Sequence, residues 1–514
     1  MGTAIVWSIV LRVGQAALQA APFLLAGVFI AAIFRRFLGP QNTRRLFGGG
    51  GWTGLLVGWL IGMLLPVCSL GVIPVVREMR RAGLPGGTIL AFALAAPLFN
   101  PLSLMYGLTL SEPFTILAFA TCSLVVVTVV GALWDWLFPH TAQPAEPLPP
   151  VRYGVRRILS LVTAMGRDCA DSSAGLILLG LSGVGLLAAV LPPNSLQGSM
   201  NHDNLWAPLF MSAIALPAYA SPMMAMSQLG MMFQHGNSVG AAFVLLSLGA
   251  GMNLGLVAWM FACYGWRRAG AWLALLLLVV LALSYGIDRP LFPHGQEIAG
   301  HTHAFDVYCR AWHSGGPELA QLTRDRLRQD AQFFEIKSLQ LLGLLCGVGL
   351  TLRVVRPWFD VEAWLTQPAP ANHQPGRFDV VVSPAVVGGT ILLGLVAFSI
   401  VGCYAYYPPA DETFEEIYVA QGEALSAALA LNFEQAHRWI DIYDGWTRKL
   451  EVGQFLRRGS LPAYHQARAK LVRDKLELLE HEVQDGHREE VARLVSEVSK
   501  ANARLKRAFL EELP

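Results

Sequence analysis

Residues 66–74 read Pro66-Val67-Cys68-Ser69-Leu70-Gly71-Val72-Ile73-Pro74, a proline-bracketed interruption inside an apolar segment that runs from 52 to 81. Proline donates no N–H and disfavours helix at the residue before it. A helix entering at 52 therefore stops near 65 and restarts near 72. At membrane depth such a break strands backbone N–H and C=O groups, which is tolerated only where protein or a water-filled cavity satisfies them. Interrupted segments of this kind build the binding sites of secondary transporters. The stretch predicts a membrane transport protein with its site at the break.

The surrounding composition agrees. The chain is 54 % hydrophobic and 14 % charged, against roughly 25 % charged in soluble domains, and its mean hydropathy is positive. Charges are sparse before residue 285 and dense after Pro409, the pattern of a polytopic membrane protein carrying a soluble domain. A net charge of +2 gives no footprint for nucleic acid, so the expected partners are the lipid bilayer and a small substrate. The apolar stretch within 1–36 is too long for a signal-peptide core and reads as a retained helix. Of the 7 cysteines, Cys68, Cys122, Cys263, Cys346 and Cys403 sit inside apolar runs, Cys169 precedes one, and Cys309 lies in a polar loop. That is no disulfide framework.

Apolar segments of spanning length occur near 10–34, 88–110, 114–133, 173–191, 239–263, 271–285, 339–352 and 380–404. A second interrupted segment, 206–233, has Pro217, Ser221 and Pro222 at its centre. Arg35, Arg36, Arg44 and Arg45 precede the first interrupted segment, and Arg77, Arg80 and Arg81 follow it. Basic flanks face the cytoplasm, so this segment enters and leaves on one side, as a re-entrant hairpin. The second carries no Lys or Arg between Asn201 and Gly236, which fits a hairpin entering from the opposite face. Each half is then one span, one hairpin and two spans, and the second half is inverted. Gly83, Gly87 and Asn100 follow the first hairpin; Gly236, Gly240 and Asn253 follow the second at the same spacings, which sets Cys68 opposite Ser221.

The fold class predicted is therefore all-α: an inverted repeat with two re-entrant hairpins plus a soluble helical bundle. The domains are a first membrane repeat (1–137), a cytoplasmic Pro/Arg linker (138–170), a second repeat (171–285), an external loop (286–337), two further spans (338–405) and an external helical domain (406–514). In that domain Val472, Leu476, Leu479 and Val483, then Val491, Leu494, Val498 and Leu505, recur at helical spacing about a turn at Asp485-Gly486, an antiparallel helical hairpin. The location predicted is a bacterial inner membrane, with the C-terminal domain outside.

Pro66, Cys68, Ser69, Gly71, Val72, Ile73 and Pro74, followed by Gly83, Pro97, Asn100 and Pro101, resemble the ArsP-like predicted permease family over roughly residues 1–265. The resemblance implies a bacterial inner-membrane permease linked to efflux of trivalent organoarsenicals or of metals. The family often has Cys-Ser-Cys-Gly where this chain has Leu70 in place of the second cysteine, so a two-thiolate trap for As(III) is not available here.

The candidate substrate pathway is Cys68, Ser69, Gly71, Asn100, Ser221 and Asn253. A thiolate is a soft ligand for Cu(I), Zn or As(III); the plainer role for Cys68 is close packing. The amides of Asn100 and Asn253 line a pathway, cap a break, or make interhelical hydrogen bonds. Met223, Met224, Met226, Met231 and Met232 around the second hairpin suit Cu(I), and suit irregular packing better. His301, His303, Asp306 and Cys309 form the densest ligand run, a candidate Zn or Cu site in the external loop. His437, Asp441, His465, His481 and His487 read as the wet face of charged helices. No nucleotide-binding loop, Ser-His-Asp set or HExxH helix is present, so the chain reads as a secondary permease rather than an enzyme. The alternative is a membrane receptor or sensor with an external ligand-binding domain.

Overall fold

The computed structural model describes residues 2–110, 113–139, 155–193, 195–196, 198–292, 304–312, 315–365 and 382–511. Helices are the regular elements of these residues, with no strand beyond one isolated bridge between Asn201 and Asn237. Two compact units divide the chain: Met1–Leu104 with Phe114–Ala397, and Met105–Pro113 with Phe398–Pro514.

The first half comprises α1 (Gly2–Ile33), α2 (Gly39–Leu46), α3 (Gly51–Leu64), α4 (Val72–Arg81), α5 (Gly86–Ala95), α6 (Pro101–Leu110) and α7 (Pro113–Leu137). α3 ends at Leu64, and Leu65, the residue before Pro66, is extended, as proline favours. A Cβ on Gly50 would lie 2.9 Å from Pro85, one on Gly54 2.5 Å from Thr88, and one on Gly62 2.9 Å from the Ala96 nitrogen. The contacts advance together, so α3 and α5 run side by side in the same direction. α4, between them, must return to the starting face. Segment 51–81 is thus a re-entrant hairpin.

The second half repeats the plan with α8 (Val155–Ala170), α9 (Ser172–Val190), α10 (Ala207–Ala215), α11 (Pro222–Gln234), α12 (Val239–Val244, continued by a π-helix over Leu245–Ala250), α13 (Leu254–Tyr264) and α14 (Trp266–Asp288). Ser238 N–H donates to Met200 O at 2.9 Å at one end of α10 and α12, and Ala220 N–H to Gly249 O at 3.2 Å at the other. These helices are again parallel, with α11 returning between them. The hairpins open to opposite faces. Arg80 of the first donates to Cys263 O, where α13 ends, at 2.8 Å. Phe233 of the second meets Phe119, near the start of α7, at 6.2 Å.

Two expected spans are broken. Segment 88–110 is not one helix: α5 and α6 are separated at 96–100, where Pro97 and Pro101 interrupt the ladder. Segment 239–263 bends by 61° between α12 and α13, at Gly251 and Asn253. By length and composition 6 described helices can cross a membrane, or up to 7 if that bent pair is one span; the eight expected spans included both broken ones. The Pro/Arg linker of 138–170 is also helical from Val155 onward as α8, with the rest of it, beyond residue 139, outside the described residues.

Beyond the repeats lie α15 (Leu319–Asp330), α16 (Phe333–Val355), α17 (Val361–Leu365) and α18 (Pro384–Tyr406). The second unit is a bundle of α19 (Ala410–Leu429), α20 (Phe433–Arg458), α21 (Ala463–Asp485) and α22 (Arg488–Leu510). Val472, Leu476, Leu479, Leu494, Val498 and Leu505 meet in its core. Gly486, at φ +76°, takes the left-handed C-terminal position of α21.

Candidate substrate site at the helix breaks

Each interrupted helix restarts with unsatisfied N–H groups in its first turn, and at each break one side chain accepts from the N–H three residues on. Cys68 Sγ accepts from Gly71 N–H at 3.4 Å. Asn100 Oδ1 accepts from Ser103 N–H at 2.7 Å. Ser221 Oγ accepts from Met224 N–H at 3.2 Å, and Asn253 Oδ1 from Leu256 N–H at 2.9 Å. Asn100, Ser221 and Asn253 thus cap the helices that follow them, whereas Cys68 meets only the N–H of Gly71, the residue before α4, whose first turn has no side-chain cap.

The breaks adjoin. The Tyr219 hydroxyl, at the second hairpin's tip, lies beside the Cys68 thiol of the first without a hydrogen bond of good geometry. A Cβ on Gly180 of α9 would fall 2.5 Å from Leu70 and 2.7 Å from Asn253 Oδ1, so these two breaks share one neighbour. Leu98 of the α5–α6 break likewise meets Gly251 of the α12–α13 break. Spans α1 and α9 back the tips by direct backbone contact: a Cβ on Gly27 would lie 2.1 Å from Gly71 O, and one on Gly183 2.0 Å from Pro217 O. Only glycine permits such approaches.

Cys68, Ser69 and Asn253 are fully buried and Asn100 nearly so. Ser69 Oγ, Tyr219 OH and Asn253 Nδ2 have no hydrogen-bond partner among the described residues. An unpaired buried polar atom costs about 1–3 kcal/mol, and the packing of the breaks leaves three of them uncompensated by the described residues. Tyr219 was not legible as a member of this group, since only the meeting of two hairpins 151 residues apart along the chain brings it to Cys68.

The ligand set of the 286–337 loop is only partly described, because His301 and His303 lie outside the described residues. Asp306 and Cys309 offer their backbone carbonyls to Arg12 of α1, at 2.5 and 3.1 Å. Burial pushes the Cys309 thiol up, with Asp306 adding to the shift, so it is held as a thiol rather than a thiolate. Among the described residues no group of three His, Cys, Asp or Glu side chains is placed to hold a metal. In the bundle, His437 is instead engaged by Glu480 at 2.5 Å and Asp441 at 3.8 Å.

Two inverted repeats with re-entrant hairpins opening to opposite faces, their tips adjoining at capped breaks, define the architecture of a membrane permease. The ArsP_1 predicted permease family matches residues 8–288, more than half of the 514 residues, and the chain belongs to that family. It is similar to UPF0718 protein YcgR of Bacillus subtilis (strain 168), with 28 % identity over 25 % of this chain and 46 % of that protein. It is also similar to a Streptococcus mutans serotype c protein named, provisionally, a two-component membrane permease complex subunit, with 26 % identity over 17 % of this chain and 29 % of that one. The chain spans less than half the length of these curated relatives. No solved structure matches it.

Proposed function

We propose that this protein is a secondary permease that carries a soft metal or metalloid species, an organoarsenical or a Cu/Zn-type cation, out of the cell through the adjoining helix breaks. The observation that carries the reading is the meeting of the Cys68 tip with the Tyr219 tip between hairpins that open to opposite faces. A guest bound there is exposed to one side or the other by rocking one repeat against its partner. Cys68 supplies the soft ligand, and Ser69, Tyr219 and Asn253 supply polar atoms with no other partner. With one cysteine at the tip, a trivalent arsenical would be held by one thiolate and these oxygens and amides rather than by a thiolate pair.

The test is efflux from everted membrane vesicles offered a trivalent methylarsenical, Cu(I) or Zn(II), comparing the natural chain with Cys68→Ser. Serine is a small residue that keeps an acceptor for the Gly71 N–H, so the variant should reach the membrane in normal amount and move the soft substrate at least tenfold more slowly. Unchanged efflux would return Cys68 to close packing alone. Binding of a substrate without net movement would favour the receptor reading.

A further inference from the structure

Away from the breaks, three elements bring their charges together at the arginine-rich end of the membrane unit. These are the returning helix α4, the basic end of the α1 span, and the junction of α8 with α9. Glu78 of α4, 4 % exposed, is held by Arg81 at 2.5 Å and faces Arg35 at 3.9 Å. Arg77, one residue earlier, is committed to Asp171 and to Ser173 at 3.0 Å, at the start of α9. Asp168, near the end of α8, is 3 % exposed. It faces Glu78, Arg35, Arg77 and Arg81, yet its Oδ2 has no partner among the described residues. Arg77 and Arg81 bond to the other two carboxylates, while Arg35 only approaches Glu78 and its Nε has no partner among the described residues. A cavity of about 20 Å³ bordered by Arg35, Glu78 and Arg81 adjoins the cluster, enough for about one water molecule.

A buried carboxylate with no ion pair among the described residues, beside a second carboxylate, is easier to keep protonated. We propose that Asp168, beside Glu78, is a proton-binding site, and that its proton is the coupling ion of the transport proposed above. Burial first and Glu78 second push the Asp168 carboxyl up to about 7, against the opposing pull of Arg35, Arg77 and Arg81. The adjacent Cys169 is pushed up to about 12 by burial, Asp168 and Cys346, so it stays a thiol and does not compete for the proton.

The step is a simple exchange: the carboxyl O–H forms with a proton delivered by water, and on release the proton returns to water. Loss of the proton leaves a bare anion that draws Arg35 and Arg81 away from Glu78. Glu78 lies less than two turns beyond Val72, the first residue of the helix that starts at the Cys68 tip. The rearrangement is therefore transmitted along one rigid element to the proposed substrate site. This assignment rests on the permease reading for its coupling role, but the proton site itself does not.

The deciding measurement is infrared difference spectroscopy of the purified full-length protein in lipid nanodiscs, titrated with pH and with no substrate present. A protonated-carboxyl C=O band should titrate near neutral pH and be missing in Asp168→Asn, which mimics the protonated form. In Glu78→Gln the midpoint should fall by roughly one pH unit, because a negative neighbour is lost and Arg35 and Arg81 are released toward Asp168. Absence of a near-neutral band, its persistence in Asp168→Asn, or an unmoved midpoint in Glu78→Gln would overturn the site. The coupling role is then tested with a trivalent methylarsenical in vesicles under an imposed pH difference. Transport that responds to the gradient in the natural chain and ignores it in Asp168→Asn supports coupling. Transport indifferent to the gradient in both overturns it. Should the arsenical not be carried at all while the infrared band titrates, the substrate reading fails and the proton site stands.

Discussion

At the scale of single residues, the breaks assign two tasks to one side chain. Asn253 caps α13 through Oδ1 and leaves Nδ2 buried and unpartnered. Those tasks are separable by substitution. Asn253→Ala should lower stability by about 1 kcal/mol through loss of the cap, read as a lower melting temperature in detergent. Asn253→Ser restores a capping oxygen but no amide N–H, so it should recover most of that stability while transport stays weakened. Transport equal to the natural chain in the serine variant would leave Asn253 as a cap only. The sequence could nominate Cys68, Asn100, Ser221 and Asn253, because polar or thiol side chains beside proline or glycine in apolar runs are conspicuous. It could not say that three of them, Asn100, Ser221 and Asn253, perform the same backbone task, since an N–H three residues on needs a cap only once the helix is known to restart there.

At the scale of elements, the duplication goes deeper than the glycine and asparagine echo. Asp135 of α7 accepts from Gly87 N–H at 2.7 Å, and Asp288 of α14 accepts from Gly240 N–H at 2.8 Å, each pair 48 residues apart. In both repeats the last helix thus clamps the start of the broken span that follows the hairpin, where the helix macrodipole favours an anion. The glycines are required by close approach: a Cβ on Gly87 would lie 2.4 Å from Gly131 O, and one on Gly240 2.6 Å from Ser284 O. Removing either clamp should cost about 1.5–3 kcal/mol, the worth of a hydrogen bond to a charged group. Comparable losses of thermal stability in Asp135→Ala and Asp288→Ala would follow from equivalent roles; an effect in only one would show that the two repeats carry different loads. These aspartates sit in the same register in the sequence, but their partners lie on another helix, so spacing alone gives no reason to pair them. The broken spans were hidden for a similar reason. Apolarity over 88–110 and 239–263 satisfies the length rule for one helix, and whether Pro97 or Gly251 bends or breaks it depends on what packs at the gap.

For the whole molecule, the arginine clusters and the opposed hairpins make a topology that labelling can test. Single cysteines placed at the exposed position 49 and the half-buried position 85, in a chain otherwise free of exposed thiols, should both react from the cytoplasmic face, while one at the exposed position 203 should react from the outer face. External labelling at 85 with cytoplasmic labelling at 49 would turn the first hairpin into a full span and end the inverted-repeat account. What the sequence alone determined is what composition and local chemistry control: a helical membrane protein, two proline-marked interruptions, a charged helical bundle at the C-terminal end, and membership signalled by residues 66–101. Burial in lipid leaves helices as the only economical way to satisfy the backbone of such a sequence, so these features need no knowledge of partners. Only the tertiary structure decided that Cys68 meets Tyr219, that Asp135 and Asp288 reach back to Gly87 and Gly240, and that Asp168 Oδ2 is left without a partner among the described residues while Glu78 and Asp171 are paired. Each of these joins residues on separate helices, and the apolar pattern that places a helix in the membrane says nothing about which face it turns toward which neighbour.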